Sequence, residues 1–221
     1  VQTCALPIYR NKLEFSFSNK RYLTAAELSD NNIEVFQNAL GYHAPRIFDK
    51  VINIETCYLM DPVNDRIRNS VRDIATANDF TYYDHRNHTG WLRNIIIRFT
   101  TKNELMVNIC LNHEDESARK ILLDGLLYQV PEITTLLYTI NPKFNDTIYD
   151  LTPQVYAGKG EVTETLGTLE FIISPKSFFQ TNSLQAEKLY QVVSDFAGLK
   201  GHEIVYDLYC GTGSIGLFVS K

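Results

Sequence analysis

The chain has 221 residues, 44% of them hydrophobic and 21% charged, with a net charge of −5. That apolar content buries a real core in one or two domains. No run approaches the roughly 18 to 20 apolar residues of a membrane-spanning helix, and no basic, apolar and small-residue series marks a secretory signal. A soluble, cytoplasmic, monomeric protein without a membrane partner is the expectation. The acidic balance offers no global attraction to a polyanion, although a local basic face is compatible with one. Cys4, Cys57, Cys110 and Cys210 are far apart with no short paired spacing, so reduced thiols are expected rather than a disulfide framework or a self-contained zinc site.

Val1 to Ile8 differ in character from the rest of the chain and match a translated sequencing-library adapter. They are set aside from the fold, Cys4 with them, and the chain reads as a fragment cut at both ends. From Tyr9, Leu13, Phe15 and Phe17 alternate with polar residues as in a half-buried strand. Arg46 to Glu55 reads as extended. Asp61-Pro62 opens a helix with an apolar stripe of Val63, Ile67, Val71 and Ile74, ending near Asn78. Leu92 to Thr101 and Glu104 to Leu111 have the spacing of a hairpin about Lys102-Asn103.

Glu114 to Gln129 is an amphipathic helix, Ile133 to Asn141 and Ile148 to Tyr156 are strand-like, and Gly158-Lys159-Gly160 is a break. Thr168 to Ile173 is a further strand. A helix spans Ser183 to about Ala197, capped by Asn182 or Ser183, with Leu184, Leu189, Val192, Val193 and Phe196 assigned to its buried side. Ile204 to Leu208 reads as a short buried strand, and Ser214 starts another helix. The fold class is α/β: a mixed α+β central domain over 9–155, then the first elements of a doubly wound, Rossmann-like domain over 156–221.

The most informative stretch is Asp207-Leu208-Tyr209-Cys210-Gly211-Thr212-Gly213-Ser214-Ile215-Gly216. Gly211, Gly213 and Gly216 satisfy Gly-x-Gly-x-x-Gly, which on its own leaves open a dinucleotide site, another nucleotide-like cofactor, or a bare βα turn. Asp207, four positions before Gly211, weighs for S-adenosylmethionine. A carboxylate there accepts from a cationic amino-acid head group or organises the loop, whereas it repels a pyrophosphate.

Ser174-Pro175-Lys176-Ser177-Phe178-Phe179-Gln180-Thr181-Asn182, succeeded about 25 residues later by Asp-Leu-Tyr-Cys-Gly-Thr-Gly, resembles the RNA (uracil-5-)-methyltransferase family. That family includes transfer-RNA and large-subunit ribosomal-RNA enzymes. Tyr9 to Phe15 and Thr89 to Asn94 fit it as well. The resemblance implies S-adenosyl-L-methionine as cofactor, contacted by Gln180 and Tyr209, with Gly211 and Gly213 letting backbone pass close. Ser214 stands where some members carry asparagine.

The chemistry so implied is addition of a cysteine thiolate at C6 of a flipped-out uracil, methylation at C5, and removal of the C5 proton by a base. The resemblance puts that cysteine and a catalytic glutamate C-terminal to Lys221, so the chain by itself is expected to be inert. Cys210 is then a small loop-packing residue and Cys110 a core thiol. Cys57 matches the position where some members hold the fourth ligand of a 4Fe-4S cluster, whose other ligands would precede residue 9.

Arg10, Lys12 and Arg93 are the candidates for RNA phosphate contacts. His85 and His88 are three apart but lack an evident carboxylate or cysteine partner for a metal, so they read as a loop near substrate. Ribosomal RNA is the expected substrate. The rivals are a transfer-RNA enzyme, an NAD-type oxidoreductase and a non-catalytic RNA-binding module.

Overall fold

The computed structural model describes residues 8–29 and 37–220. Val1 to Pro7, with Cys4, lie outside the described residues. Among the described residues the elements are, in chain order, β1 (Lys12–Ser18), α1 (Ala25–Leu28), β2 (Ala39–His43), β3 (Val51–Asn53), α2 (Val63–Ala77), β4 (Leu92–Phe99), β5 (Leu105–Leu111), α3 (Glu116–Gln129), β6 (Thr135–Ile140), β7 (Gln154–Ala157), β8 (Val162–Leu166), β9 (Leu169–Ile173), α4 (Ser183–Ala197) and α5 (Ser214–Val219). Strands β3-β2-β1-β4-β5-β6-β7 form one sheet, and β8-β9 a separate hairpin. Among these strands only β5 and β6 pair in parallel, and α3 makes the crossover between them, as parallel neighbours require.

The period-two pattern divides the sheet's faces. Leu13, Phe15 and Phe17 of β1, Ile95 and Ile97 of β4, and Val107 and Ile109 of β5 all enter one core with Ile67, Val71 and Ile74 of α2 and Leu122, Leu123 and Leu126 of α3. The opposite face carries Lys12, Glu14, Asn94, Ile96, Arg98 and Met106. Met106 and Leu137 belong to a second core built with the β8-β9 hairpin, Phe179, Ala186 and Tyr190. The described residues after β7 therefore pack across the sheet's more polar side. No helix among the described residues is long and apolar enough to cross a membrane.

The helix expected from Pro62 runs Val63–Ala77 with Asn78 as its C-cap, and Asn182 caps α4 through Gln185 N at 2.9 Å. Four expectations are corrected. Within 46–55 only Val51–Asn53 is strand, because the chain turns at Arg46 with φ +67°. Its partner β2 escaped notice because it contains Gly41, where a Cβ would stand 2.0 Å from the Ile52 carbonyl oxygen. That glycine marks a close backbone approach, not a break. Residues 148–153 are loop, and the strand is Gln154–Ala157.

The last two corrections share a cause. Ile204 to Leu208 forms no strand and is exposed, since no described strand lies alongside to pair with it. On α4 the packed side chains are Ser183, Ala186 and Tyr190, while Leu184, Leu189, Val192, Val193 and Phe196 are exposed. An apolar stripe shows which side a helix is able to bury, not whether a neighbour is present to cover it. Accordingly, Ile67→Ala at a fully buried site should cost about 3 kcal/mol. Val192→Ala should change stability by less than about 0.5 kcal/mol. Urea denaturation of the two variants measures both.

Candidate functional site

The segment Phe178 to Ser183 is held against the start of β1 by Asn11. The Asn11 backbone N–H donates to Thr181 O at 2.6 Å, and its Nδ2 donates to Ser183 Oγ at 2.8 Å and Gln180 O at 3.3 Å. Beneath them lies Glu164, a carboxylate with no exposed surface. Its Oε2 accepts from Ser183 Oγ at 2.9 Å and Asn11 Nδ2 at 3.3 Å. Its Oε1 accepts from Thr101 N at 3.1 Å, Thr165 N at 3.0 Å and the Thr101 hydroxyl. Phe179 points into the second core beside Phe171, leaving Phe178 exposed and Gln180 half-buried at the surface.

The glycine turn is built around Asp207, whose Oδ2 accepts from Gly216 N at 3.0 Å. A Cβ at Gly216 would fall 2.9 Å from that oxygen. The third glycine is therefore required by the approach of a carboxylate. Gly211 and Gly213 both have positive φ, at +57° and +70°, the conformation that favours glycine. Tyr209 shares the left-handed conformation and is fully exposed. Ser214 is buried, with Oγ 3.1 Å from Tyr190 OH, so its hydroxyl ties α5 to α4. Cys210 is exposed in the turn and Cys110 is buried, with burial pushing its thiol pKa up.

Of the predicted phosphate contacts, Arg10 is exposed and Lys12 half-buried. Burial pulls the Lys12 pKa down, opposed by Glu14 and assisted by Arg98. Arg93 is corrected. It is 1% exposed and donates to the carbonyls of Asn141 at 2.8 Å, Asn145 at 3.2 Å and Lys143. It also pairs with Asp146 at 2.8 Å and lies 4.2 Å above the Tyr83 ring. A guanidinium so occupied is the internal clasp of the 141–146 loop, out of reach of a phosphate.

The histidines do find a carboxylate, which sequence spacing had not shown. His43, His85 and Asp146 bring one ligand-capable atom each within 4.8 Å of one another, although they come from a strand and two loops. His85 Nε2 lies 3.0 Å from Phe17 O, and burial lowers the His85 pKa, favouring the neutral ring. His88 instead stacks on Phe144 at 4.2 Å. Cys57 is buried with Sγ 3.8 Å from Tyr42 OH, its N–H given to Asp65.

No family model matches the chain. Curated relatives named "uncharacterized RNA methyltransferase" match it along nearly its whole length. The protein from Bacteroides thetaiotaomicron is 50% identical over 216 residues, and that from Porphyromonas gingivalis 45% over 218. Each alignment covers 96% of this chain but 48% and 47% of the relative, so the chain spans about half the length of the curated relatives it matches. Among solved structures, the Pyrococcus abyssi tRNA (uracil-54, C5)-methyltransferase, in complex with S-adenosyl-L-homocysteine, shares the fold. Its TM-score is 0.69 at 20% identity, over 96% of this chain and 46% of that one.

These comparisons define the class of protein: the chain is homologous to proteins named RNA methyltransferases and shares its α/β fold with the Pyrococcus abyssi structure. The resemblance carried by Ser174 to Asn182 and the glycine turn agrees with these relatives as far as RNA methylation.

Two measurements test the local geometry. Arg93→Met leaves three carbonyls and Asp146 without their donor, so it should lower stability by about 3 kcal/mol in a denaturant melt. Asp84 titrates against two opposed effects. Burial would raise its pKa, but donors from Asn19, Asn87 and Arg86 outweigh this and hold it well below the usual carboxylate range. Its stabilisation is present above the unfolded value of about 4 and lost as pH falls toward the folded value. Asp84→Asn should flatten the acid limb of stability against pH below about 4, read by urea midpoints.

Proposed function

We propose that this chain supplies the RNA-facing sheet and the opening of the cofactor site of an enzyme that methylates C5 of a uridine in RNA, with S-adenosyl-L-methionine as donor. The observation that carries the proposal is the linkage of two motifs. Phe178 to Asn182 is fixed to β1 through Asn11, and the Asp207-led glycine turn is fixed to α4 through Tyr190 and Ser214. Identity with proteins named as RNA methyltransferases supports the reading.

The residues present fit that cofactor better than a dinucleotide. Asp207 spends Oδ2 on the turn and, as a carboxylate, keeps acceptor capacity for an ammonium while repelling a pyrophosphate. A Cβ at Gly211 would meet nothing within 4 Å, so backbone there is open to a ligand. When bound, S-adenosylmethionine supplies an electrophilic methyl group. Gln180 offers an amide with both donors and an acceptor, and Tyr209 offers an exposed ring and hydroxyl. Ser214 acts through Tyr190 as a positioning residue.

The nucleophilic thiol and the catalytic carboxylate are assigned to residues after Lys221, consistent with the turn position of Cys210 and the burial of Cys57 and Cys110. Cys57 is read as a plain buried thiol against Tyr42, the alternative being the 4Fe-4S ligand that the resemblance allows in a longer parent. Ribosomal RNA is placed first as substrate. The transfer-RNA alternative draws support from the name of the Pyrococcus abyssi protein.

In the complete gene product, Gln180→Ala and Tyr209→Ala should each weaken S-adenosylmethionine binding at least about tenfold by calorimetry. Unchanged affinity in both would sink the cofactor assignment. Nucleoside mass spectrometry of reacted RNA should show 5-methyluridine.

A further inference from the structure

Arg98 is the second arginine buried on β4, and its surroundings are opposite to those of Arg93. It is 3% exposed, and its Nη1 is buried with no hydrogen-bond partner among the described residues. Burial pulls its pKa down to about 10, and the one charge that opposes this is Glu164. Yet both oxygens of Glu164 are already taken by Asn11, Ser183, Thr101 and Thr165. Arg98 therefore feels that carboxylate from a distance without bonding to it.

Directly across the ladder, as its Cα partner, stands Lys12. Like charges opposite one another on a sheet face are destabilising, and a buried charge without a counter-ion is more so. Both side chains line one cavity of about 320 Å³ between the sheet face and the Pro175 to Thr181 segment. Lys176 stands at its edge, steadied by the carbonyls of Tyr149 at 3.2 Å and Leu151 at 3.0 Å. Two carboxylates also line it: Asp146 is paired with Arg93, while Glu14 accepts from Asn94 Nδ2 at 2.7 Å and keeps its charge beside Lys12, leaving Arg98 without a carboxylate of its own. A cavity that holds two opposed cations and an unspent guanidinium donor is built for an anion.

We propose that this cleft binds a phosphodiester group of the RNA strand, with the Arg98 guanidinium as its buried anchor and Lys12 as its second cation. The RNA source rests on the function proposed above, whereas the anion site rests on Arg98 itself. A guanidinium fork matches phosphate oxygens bidentately. Bound there, a phosphate supplies the counter-charge that the fold leaves out. The site also gives a chain of net charge −5 a local grip on a polyanion.

The test compares the chain with Arg98→Met, Arg98→Lys and Lys159→Ala, the last an exposed cation that does not line the cleft. The RNA probe is a labelled single-stranded uridine-rich oligoribonucleotide, monitored by anisotropy across a salt series. The anion probe is inorganic phosphate, monitored by its effect on Tm. Arg98→Met should weaken RNA binding about tenfold and reduce the slope of log K on log salt by about 0.7. Arg98→Lys should recover part of the affinity, and Lys159→Ala should change neither quantity.

Phosphate should raise the Tm of the parent chain and not that of Arg98→Met. Without phosphate, Arg98→Met should melt at or above the parent, because it removes a buried charge that no internal group satisfies. A lower Tm together with unchanged RNA and phosphate responses would make Arg98 structural and overturn the proposal. An Arg98-dependent phosphate effect with Arg98-independent RNA binding would assign the site to a free anion and overturn the RNA source. Absence of RNA binding by the parent chain, with the phosphate effect intact, would instead bring down the RNA function on which that source rests.

Discussion

Glu164 sits where β1, β8, the turn after β4 and the start of α4 converge, with no surface exposed to water. A carboxylate in such a place costs several kcal/mol unless its oxygens are bonded, so the residues that bond it are not free to move independently. Thr101 fixes the end of the β4 strand, Asn11 the approach to β1, and Ser183 the first turn of α4. The Phe178 to Asn182 segment is carried between the last two. Its position over the sheet results from satisfying one buried charge.

That constraint separates the two faces of the sheet by chemistry. One face is filled by α2 and α3 and obeys ordinary core rules: alternating apolar residues and two helices packed closely enough that a Cβ on Gly125 would come 3.0 Å from Ile74. The other face is only partly covered. Met106 and Leu137 are taken by the second core, while Lys12, Glu14, Ile96 and Arg98 are left to line a cleft under Pro175 to Thr181. Residues brought there from β1, β4 and the 174–181 loop lie far apart along the chain, and the sheet is what assembles them.

Much of the first face was legible in the sequence because local patterning and core packing agree there. The α2 stripe and its Asn78 stop, the β4-β5 hairpin and the Asn182 cap all arise from neighbours close in sequence. The losses have specific causes. β8 was missed because its central inward residue is Glu164, a charge where the alternation calls for an apolar side chain. β2 was missed because Gly41 is demanded by the Ile52 carbonyl. Ile204 to Leu208 and the outer stripe of α4 were misjudged because burial depends on partners, which a pattern cannot supply.

At the site itself, side-chain partners decide what residue type leaves open. Asp207 was expected either to meet a ligand or to organise the loop, and its bond to Gly216 shows the second directly. The His43, His85 and Asp146 cluster left no trace in spacing, because its members come from three segments joined only by the sheet.

The contrast between Arg93 and Arg98 has the same origin and carries further. Both are arginines on one strand, both are almost wholly buried, and composition cannot tell them apart. Arg93 has three carbonyls, a carboxylate and an aromatic face around it, so its charge is spent on holding the 141–146 loop. Arg98 faces a lysine, and Glu164, the carboxylate whose charge acts on it, is already fully bonded. Net favourable burial of a guanidinium requires that its donors be used. What separates a structural arginine from one kept for a ligand is thus neither exposure nor motif but how much of its hydrogen-bonding capacity the fold satisfies: both terminal nitrogens of Arg93 are bonded and only its Nε lacks a partner, whereas Arg98 has a terminal nitrogen, Nη1, buried without one. On that criterion the binding surface of this sheet lies at Arg98 and Lys12, further along β4 than the arginine the sequence had favoured.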